Sequence, residues 1–270
     1  MTTINSIAVL GDSTSTGFAT QGRSYAVLVG EALTATTVEN FAVFGRTAKL
    51  MVDEDLSRVA DLRPDMVIVH VGMGDSLPHP GERVQRILER FAPPTWHGVY
   101  GLERRAYFSG TRWHRVTQWV VAETKTTIKR ALIGITGGYT RATPVEFERY
   151  FDQLLTELAD RVDVVVSIGL FDVDQHRFPK QHVLNLPFRE KRFAVLSRHP
   201  QIIPVEINQR LDHWGHFLPD RAHWNAAGHA AVADEILQAL RTALPELNLS
   251  GITDESELRP PTDDPASTTH

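Results

Sequence analysis

Two short stretches near opposite ends of the chain carry residue types that cooperate in acyl transfer. Ser13 lies in Gly11-Asp12-Ser13-Thr14-Ser15-Thr16-Gly17, directly after the apolar run 7–10, and Asp220-Arg221-Ala222-His223-Trp224-Asn225 precedes the last helical pattern. A serine hydroxyl is a weak nucleophile until a base takes its proton, and an imidazole is that base when a carboxylate holds its tautomer. Asp220 and His223, three positions apart on one loop, suit the roles of acid and base toward Ser13. The plainer alternative is a helix start, with Asn225 as N-cap and the two ionisable residues decorating it.

Other chemistries fit these stretches less well. A phosphate-cradling loop needs two glycines around four residues, then Lys and Ser/Thr. Here Gly11 and Gly17 enclose five residues, Phe18 stands in the lysine position, and Asp12 would set a carboxylate beside the phosphates. The elbow Gly-x-Ser-x-Gly fails as well, since the register reads Gly-Asp-Ser-Thr-Ser. Asp212-His213-Trp214-Gly215-His216 has metal-ligand residue types but no known zinc spacing, and a metal there would consume Asp220 and His223. Neither a metal nor a cofactor is therefore expected. Trp214, Trp224 and Asp172 are candidate substrate contacts, Asp172 with a solvated turn as its blander reading.

The elements that must position these residues follow from apolar periodicity. Runs at 7–10, 37–43, 66–71, 162–168 and 202–207 read as strands, and the nearly continuous apolar character of 66–71 argues burial on both faces. Helical patterns cover 25–33, a stretch opened by the capping box Thr143-Pro144-Val145-Glu146, and the final segment from Asn225. Strands alternating with helices predict a parallel sheet covered on both sides, with ligands at the carboxyl ends of its strands. Ser13 falls at such an end. A single domain is expected over 1–245.

Residues 95–142 interrupt the rhythm. They hold Arg104, Arg105, Arg112, Arg115, Lys125, Lys129, Arg130 and Arg141 against Glu103 and Glu123, and are rich in aromatics (Trp96, Tyr100, Tyr107, Phe108, Trp113, Trp119). We read this stretch as a cap inserted over the strand ends, with a helix at 116–132. Its charge suits an anionic substrate, glycan or acidic carrier protein, or simply a solvated face. The polar segment 246–270 is expected to be disordered. A net charge of −5 gives no general affinity for nucleic acid, no apolar stretch is long enough to span a bilayer, and the absence of cysteine and of a basic leader sets the expectation of a cytoplasmic protein.

Gly11-Asp12-Ser13, Gly45 within Phe44-Gly45-Arg46-Thr47-Ala48, Gly72-x-x-Asp75 and Asp220-x-x-His223 resemble, in order and context, the four blocks of the SGNH (GDSL-type) hydrolases. The resemblance covers about 5–94 and 143–244. It implies a flavodoxin-like three-layer α/β/α fold on a five-stranded parallel sheet, an acyl-Ser13 intermediate formed from an ester or thioester, and hydrolysis or acyl transfer. It also implies an oxyanion hole made by the N–H groups of Ser13 and Gly45 and an asparagine side chain from the third block. That asparagine position holds Gly74, so one donor is lost, at about 2.7–4 kcal/mol of transition-state stabilisation for such a group. The readings open at this point are a substitute donor (Arg46, a substrate group or a water), a space opened by Gly74 for a bulkier acyl group or acceptor, and a decayed site that only binds an acylated or glycan ligand.

Overall fold

The apolar run near the N-terminus forms β1 (Ser6–Gly11), buried on both faces from Ile7 to Leu10 as a central parallel strand requires. The computed structural model describes residues 3–97 and 111–247. After β1 come α1 (Tyr25–Ala32), β2 (Thr37–Asn40), α2 (Ala48–Leu50), a π-helical turn (Met51–Asp55), α3 (Leu56–Leu62), β3 (Met66–His70), α4 (Met73–Ser76) and α5 (Glu82–Phe91). A long α6 (Arg112–Thr136) leads to α7 (Pro144–Ala159), β4 (Val164–Ile168), α8 (Gln181–Leu196), β5 (Ile203–Val205) and α9 (Ala226–Ala243).

The five strands are parallel in the order β2-β1-β3-β4-β5. Right-handed crossovers carry α1 to one face, where it packs on α9, and carry α7 and α8 together to the other. This is the expected α/β architecture. The strand order reverses between β1 and β3, whose last residues Gly11 and His70 are paired in register. A ligand crevice opens at such a reversal, beyond the carboxyl ends of the strands.

Local chemistry explains the element ends. Thr143 and Glu146 close the capping box on α7, with Thr143 N–H donating to Glu146 Oε2 at 2.8 Å and Glu146 N–H to Thr143 Oγ1 at 3.2 Å. Asn225 caps α9 by accepting from Gly228 N–H at 2.9 Å. The strand β2 stops at Asn40, three residues before the apolar pattern ends, because the Asn40 side chain accepts from Ala42 N–H and donates to Ser15 O. The inserted helix is longer than its periodicity predicts, reaching from Arg112 to a left-handed cap at Gly137 (φ +84°).

Among the described residues, α6 rests on its neighbours by its C-terminal half. Residues 112–121 are exposed, whereas Ala122, Lys125, Thr126, Lys129 and Ile133 are buried. Lys125 Nζ donates to Thr95 O at 3.1 Å and lies over the Trp96 ring, and Lys129 Nζ sits 4.4 Å from the Phe178 ring centre. Arg177 pairs with Glu123 at 3.2 Å. The insert therefore leans on the loop after β4, at the carboxyl edge, and spends its lysines on internal contacts. Tyr100, Glu103, Arg104, Arg105, Tyr107 and Phe108 of the cap, and the tail from 248 on, lie outside the described residues. Among the described residues no helix is long and apolar enough to cross a membrane.

Candidate active site

The turn that carries Ser13 is built by its neighbours. Asp12 Oδ1 accepts from the Thr14 N–H at 2.9 Å and from the Thr14 hydroxyl at 2.7 Å, and Ser13 O accepts from the Thr16 hydroxyl at 2.7 Å. Gly11 is required here, because a Cβ on it would lie 2.4 Å from Ser15 Oγ. Beneath the turn, buried His70 places Nδ1 3.0 Å from Thr14 Oγ1 and 3.2 Å from Ser15 Oγ. Burial holds the His70 imidazole below its ordinary range, so it is neutral. The Thr14 proton goes to Asp12, so His70 Nδ1 carries the hydrogen toward Thr14. Ser13 itself is half-buried, and among the described residues its hydroxyl makes no hydrogen bond.

The second loop presents a fixed acid–base pair. His223 Nδ1 donates to Asp220 Oδ2 at 2.8 Å, while Asp220 Oδ1 accepts from the N–H groups of Ala222 and His223, each at 3.0 Å. Burial alone would raise the Asp220 carboxyl, but the bonds from His223 and the two backbone donors leave it below the usual carboxylate range. An ionised carboxylate only accepts, so the hydrogen sits on Nδ1 and the lone pair on Nε2.

The two loops meet through aromatic rings. Phe18, five residues beyond Ser13, has its ring 5.9 Å from the His223 imidazole, and Phe44 lies 5.7 Å from it. Trp224 stacks on His70 at 5.2 Å, and Tyr25 N–H donates to His229 Nδ1 at 3.2 Å. The chain ends thus share one neighbourhood, although Ser13 Oγ and His223 are not hydrogen-bonded to each other. In unliganded sites such bonds are often open and tighten when substrate binds.

A third loop, 43–48, completes the mouth. Val43 N–H bonds Gly11 O and Arg46 N–H bonds Val43 O, both at 3.1 Å, with Gly45 at φ +72° in the turn. Among the described residues the N–H groups of Ser13 and Gly45 donate to no acceptor. Two backbone donors without an acceptor among the described residues therefore lie on adjoining loops at the sheet's topological switch.

No protein-family model and no curated protein matches the chain. Solved structures do. LAE5, an alpha/beta hydrolase enzyme from the metagenome of Lake Arreo, superposes at a TM-score of 0.56 with 16% identity, over 90% of this chain and 98% of that one. Axe2, an acetylxylan esterase from Geobacillus stearothermophilus, gives 0.54 with 14% identity over 88% and 94%. TesA gives 0.54 with 12% identity over 88% and 99%. The fold is that of the SGNH hydrolases.

Gly74, which stands where the sequence resemblance puts an asparagine, is sterically enclosed. A Cβ on Gly74 would stand 2.0 Å from Arg46 O and 2.8 Å from Arg46 C. The backbone of the second-block loop fills the place where a side chain at 74 would begin, so Gly74 does not open space for a larger acyl group. Nor is Arg46 the substitute donor. Its guanidinium is buried, bonding Glu54 at 2.5 Å and fully buried Asp55 at 2.8 Å. Arg46→Met would strand the Asp55 carboxylate, leaving only Arg58 at 3.6 Å, and is expected to lower stability by about 3–5 kcal/mol in equilibrium denaturation.

Asp75 ties the second and third loops together, its two carboxylate oxygens accepting from Ala48 N–H at 3.0 and 3.2 Å. Burial pushes this carboxyl up to about 7, against the pull of the Ala48 bond and the Arg141 charge. Between the ordinary aspartate value near 4 and about 7, the folded chain keeps a proton that the unfolded chain has released. The stability Asp75 confers is whole below that window and is lost as pH rises through it. The difference in melting temperature between Asp75→Asn and the native chain is expected to shift in favour of the variant from pH 4 to pH 7, measured by thermal melts across that range.

The remaining candidates separate. Trp224 is fully buried, packed on His70, Phe171 and Tyr25, so it supports the loop from beneath and cannot touch substrate. Asp172 is held by Arg189 at 3.0 Å and by Asn208, and serves as a structural anchor for the loop after β4 rather than a pocket wall. Trp214 is 79% exposed, with the Arg221 guanidinium 4.2 Å from its ring centre. Among the described residues no cluster of His, Asp or Glu is arranged to hold a metal. Sequence reasoning missed His70, Phe18, Phe44 and Arg141. Phe18, close to Ser13, and Phe44, next to Gly45, carried a local signal.

Proposed function

We propose that the chain is a serine acyl-ester hydrolase working through an acyl-Ser13 intermediate. The observation that carries this reading is the buried Asp220–His223 pair, which sets the imidazole tautomer on the loop that meets the Ser13 turn. Its spacing matches a neighbour: Axe2 is described with catalytic mutants at a serine and at an aspartate and a histidine three positions apart. In the reaction, His223 Nε2 takes the Ser13 proton as Oγ attacks the ester carbonyl. The Ser13 and Gly45 N–H groups receive the negative oxygen. Collapse expels the alcohol, which leaves with the proton from His223, and water repeats the sequence on the acyl-enzyme.

Ser13 is half-exposed, so water reaches the acyl-enzyme and hydrolysis is favoured over transfer to another alcohol. Phe18 and Phe44 around His223, with Val43 and Phe44 exposed at the rim, suit an ester or thioester with a small apolar acyl group. Exposed Trp214 offers a flat face for the leaving group, such as a sugar ring. Lys125 and Lys129 are taken up by internal contacts, so an acidic carrier protein or anionic glycan would have to be met by the exposed arginines of the insert, such as Arg112 and Arg115.

Asp220→Asn is expected to lower kcat about 10³–10⁴-fold by freeing the wrong tautomer, with folding retained, as read with p-nitrophenyl acetate. Activity within tenfold of the native chain would contradict the proposal. A second reading, a ligand-binding protein on the same fold, is favoured by one observation, the missing third donor at Gly74. It predicts no turnover of any activated ester.

A further inference from the structure

The resemblance puts a third oxyanion donor at residue 74, where this chain has glycine, yet a cation from the insert reaches the Gly45 turn. After α6 the chain runs antiparallel to 75–79. His79 and Tyr139 exchange two N–H···O=C bonds of 2.9 Å, and the N–H groups of Arg141 and Ala142 donate to Asp75 O at 3.0 and 3.4 Å. This ladder fixes the Arg141 backbone beside the residue that follows Gly74. The Arg141 side chain then crosses to the second block, where Nη1 donates to Gly45 O.

The position of that contact is telling. A Cβ on Gly74 would fall 3.3 Å from the Gly45 carbonyl carbon. The guanidinium thus binds the carbonyl one residue before the Arg46 C=O that a side chain at 74 would strike first. The tip of the turn, Val43 and Phe44, is exposed, and Gly45 has a left-handed backbone that permits many conformations. An ion-assisted bond to Gly45 O restrains the Gly45–Arg46 peptide, which Arg46 N–H also ties to Val43 O, and so narrows the range over which Gly45 can swing its own N–H. It also keeps a permanent positive charge at the end of the site where the oxyanion forms, a charge that already acts on Asp75.

We propose that Arg141 is a positioning residue that compensates for the absent third-block amide, by holding the Gly45 donor in place and by its charge. The inference rests on Ser13 as nucleophile and Gly45 as oxyanion donor. Arg141 is exposed, so its replacement leaves the core intact.

The test compares native chain, Ser13→Ala, Arg141→Ala and Arg141→Lys in hydrolysis of p-nitrophenyl acetate, with thermal melts as a folding check. Arg141→Ala is expected to lose about 10²-fold in kcat, the scale of a misplaced catalytic group, with KM within about threefold. Millimolar guanidinium ion should restore part of that loss in Arg141→Ala and none in Ser13→Ala, and Arg141→Lys should fall between. Native activity that vanishes in Ser13→Ala but survives in Arg141→Ala overturns the role of Arg141 alone. So does a loss confined to KM, or one that guanidinium does not relieve. Native activity that persists in Ser13→Ala, or no activity in the native chain, overturns the nucleophile assignment and this inference with it.

Discussion

Gly74→Asn, which adds the amide that the resemblance to SGNH hydrolases puts at this position, is expected to impair the protein rather than improve it. The asparagine Cβ would meet Arg46 O at 2.0 Å, a contact with backbone that no side-chain rotation relieves. Arg46 cannot retreat freely, since its guanidinium is anchored on Glu54 and Asp55 and the next residues hold Asp75 through Ala48 N–H. Relief must come from moving the 43–48 loop, which carries the Gly45 N–H. Overpacking of this kind costs about 1–3 kcal/mol, and a displaced oxyanion donor costs about 10²–10³ in rate. The variant should therefore melt earlier and hydrolyse p-nitrophenyl acetate at least about 10²-fold more slowly. A gain in activity would show that the loop yields and that the added amide reaches the oxyanion.

Ser13→Ala should have the largest effect on chemistry and almost none on folding. The Ser13 hydroxyl makes no hydrogen bond among the described residues, while the turn is held by Asp12, Thr14 and the Ser13 carbonyl, all of which alanine retains. Loss of the nucleophile from such a triad typically costs about 10⁴–10⁶ in kcat. Melting within about two degrees of the native chain, with kcat lowered by about that factor, is the expected outcome. Thr14 and Ser15 are poor replacements, since their hydroxyls are buried against His70 and Asp12.

What the sequence made legible was what is local. The Val/Ile runs of β1, β3 and β4 announce a buried parallel sheet, because strands covered on both faces need no polar alternation. The capping box of α7 and the Asn225 cap could be read from four residues each. Asp220 and His223 were visible as a pair because both sit on one turn. What remained hidden depends on contacts between distant segments. Gly74 looked like a vacancy, and only the fold shows Arg46 O filling it. Arg46, next to Gly45 in sequence, seemed the natural substitute, but its side chain turns back to the π-helical turn at Asp55. Arg141 is 96 positions from the glycine whose carbonyl it binds. Trp224 stood beside His223 in the sequence, yet successive residues of an extended segment point opposite ways, and this one points into the core.

Reaction with a fluorophosphonate, followed by peptide mass spectrometry, tests most directly whether an imidazole from the C-terminal loop activates a hydroxyl beside the first strand. One adduct per chain is expected, on Ser13, formed rapidly in the native protein and at least about 10³-fold more slowly in His223→Ala. An adduct on another residue, or equal labelling of Ser13 with and without the imidazole, would contradict this activation.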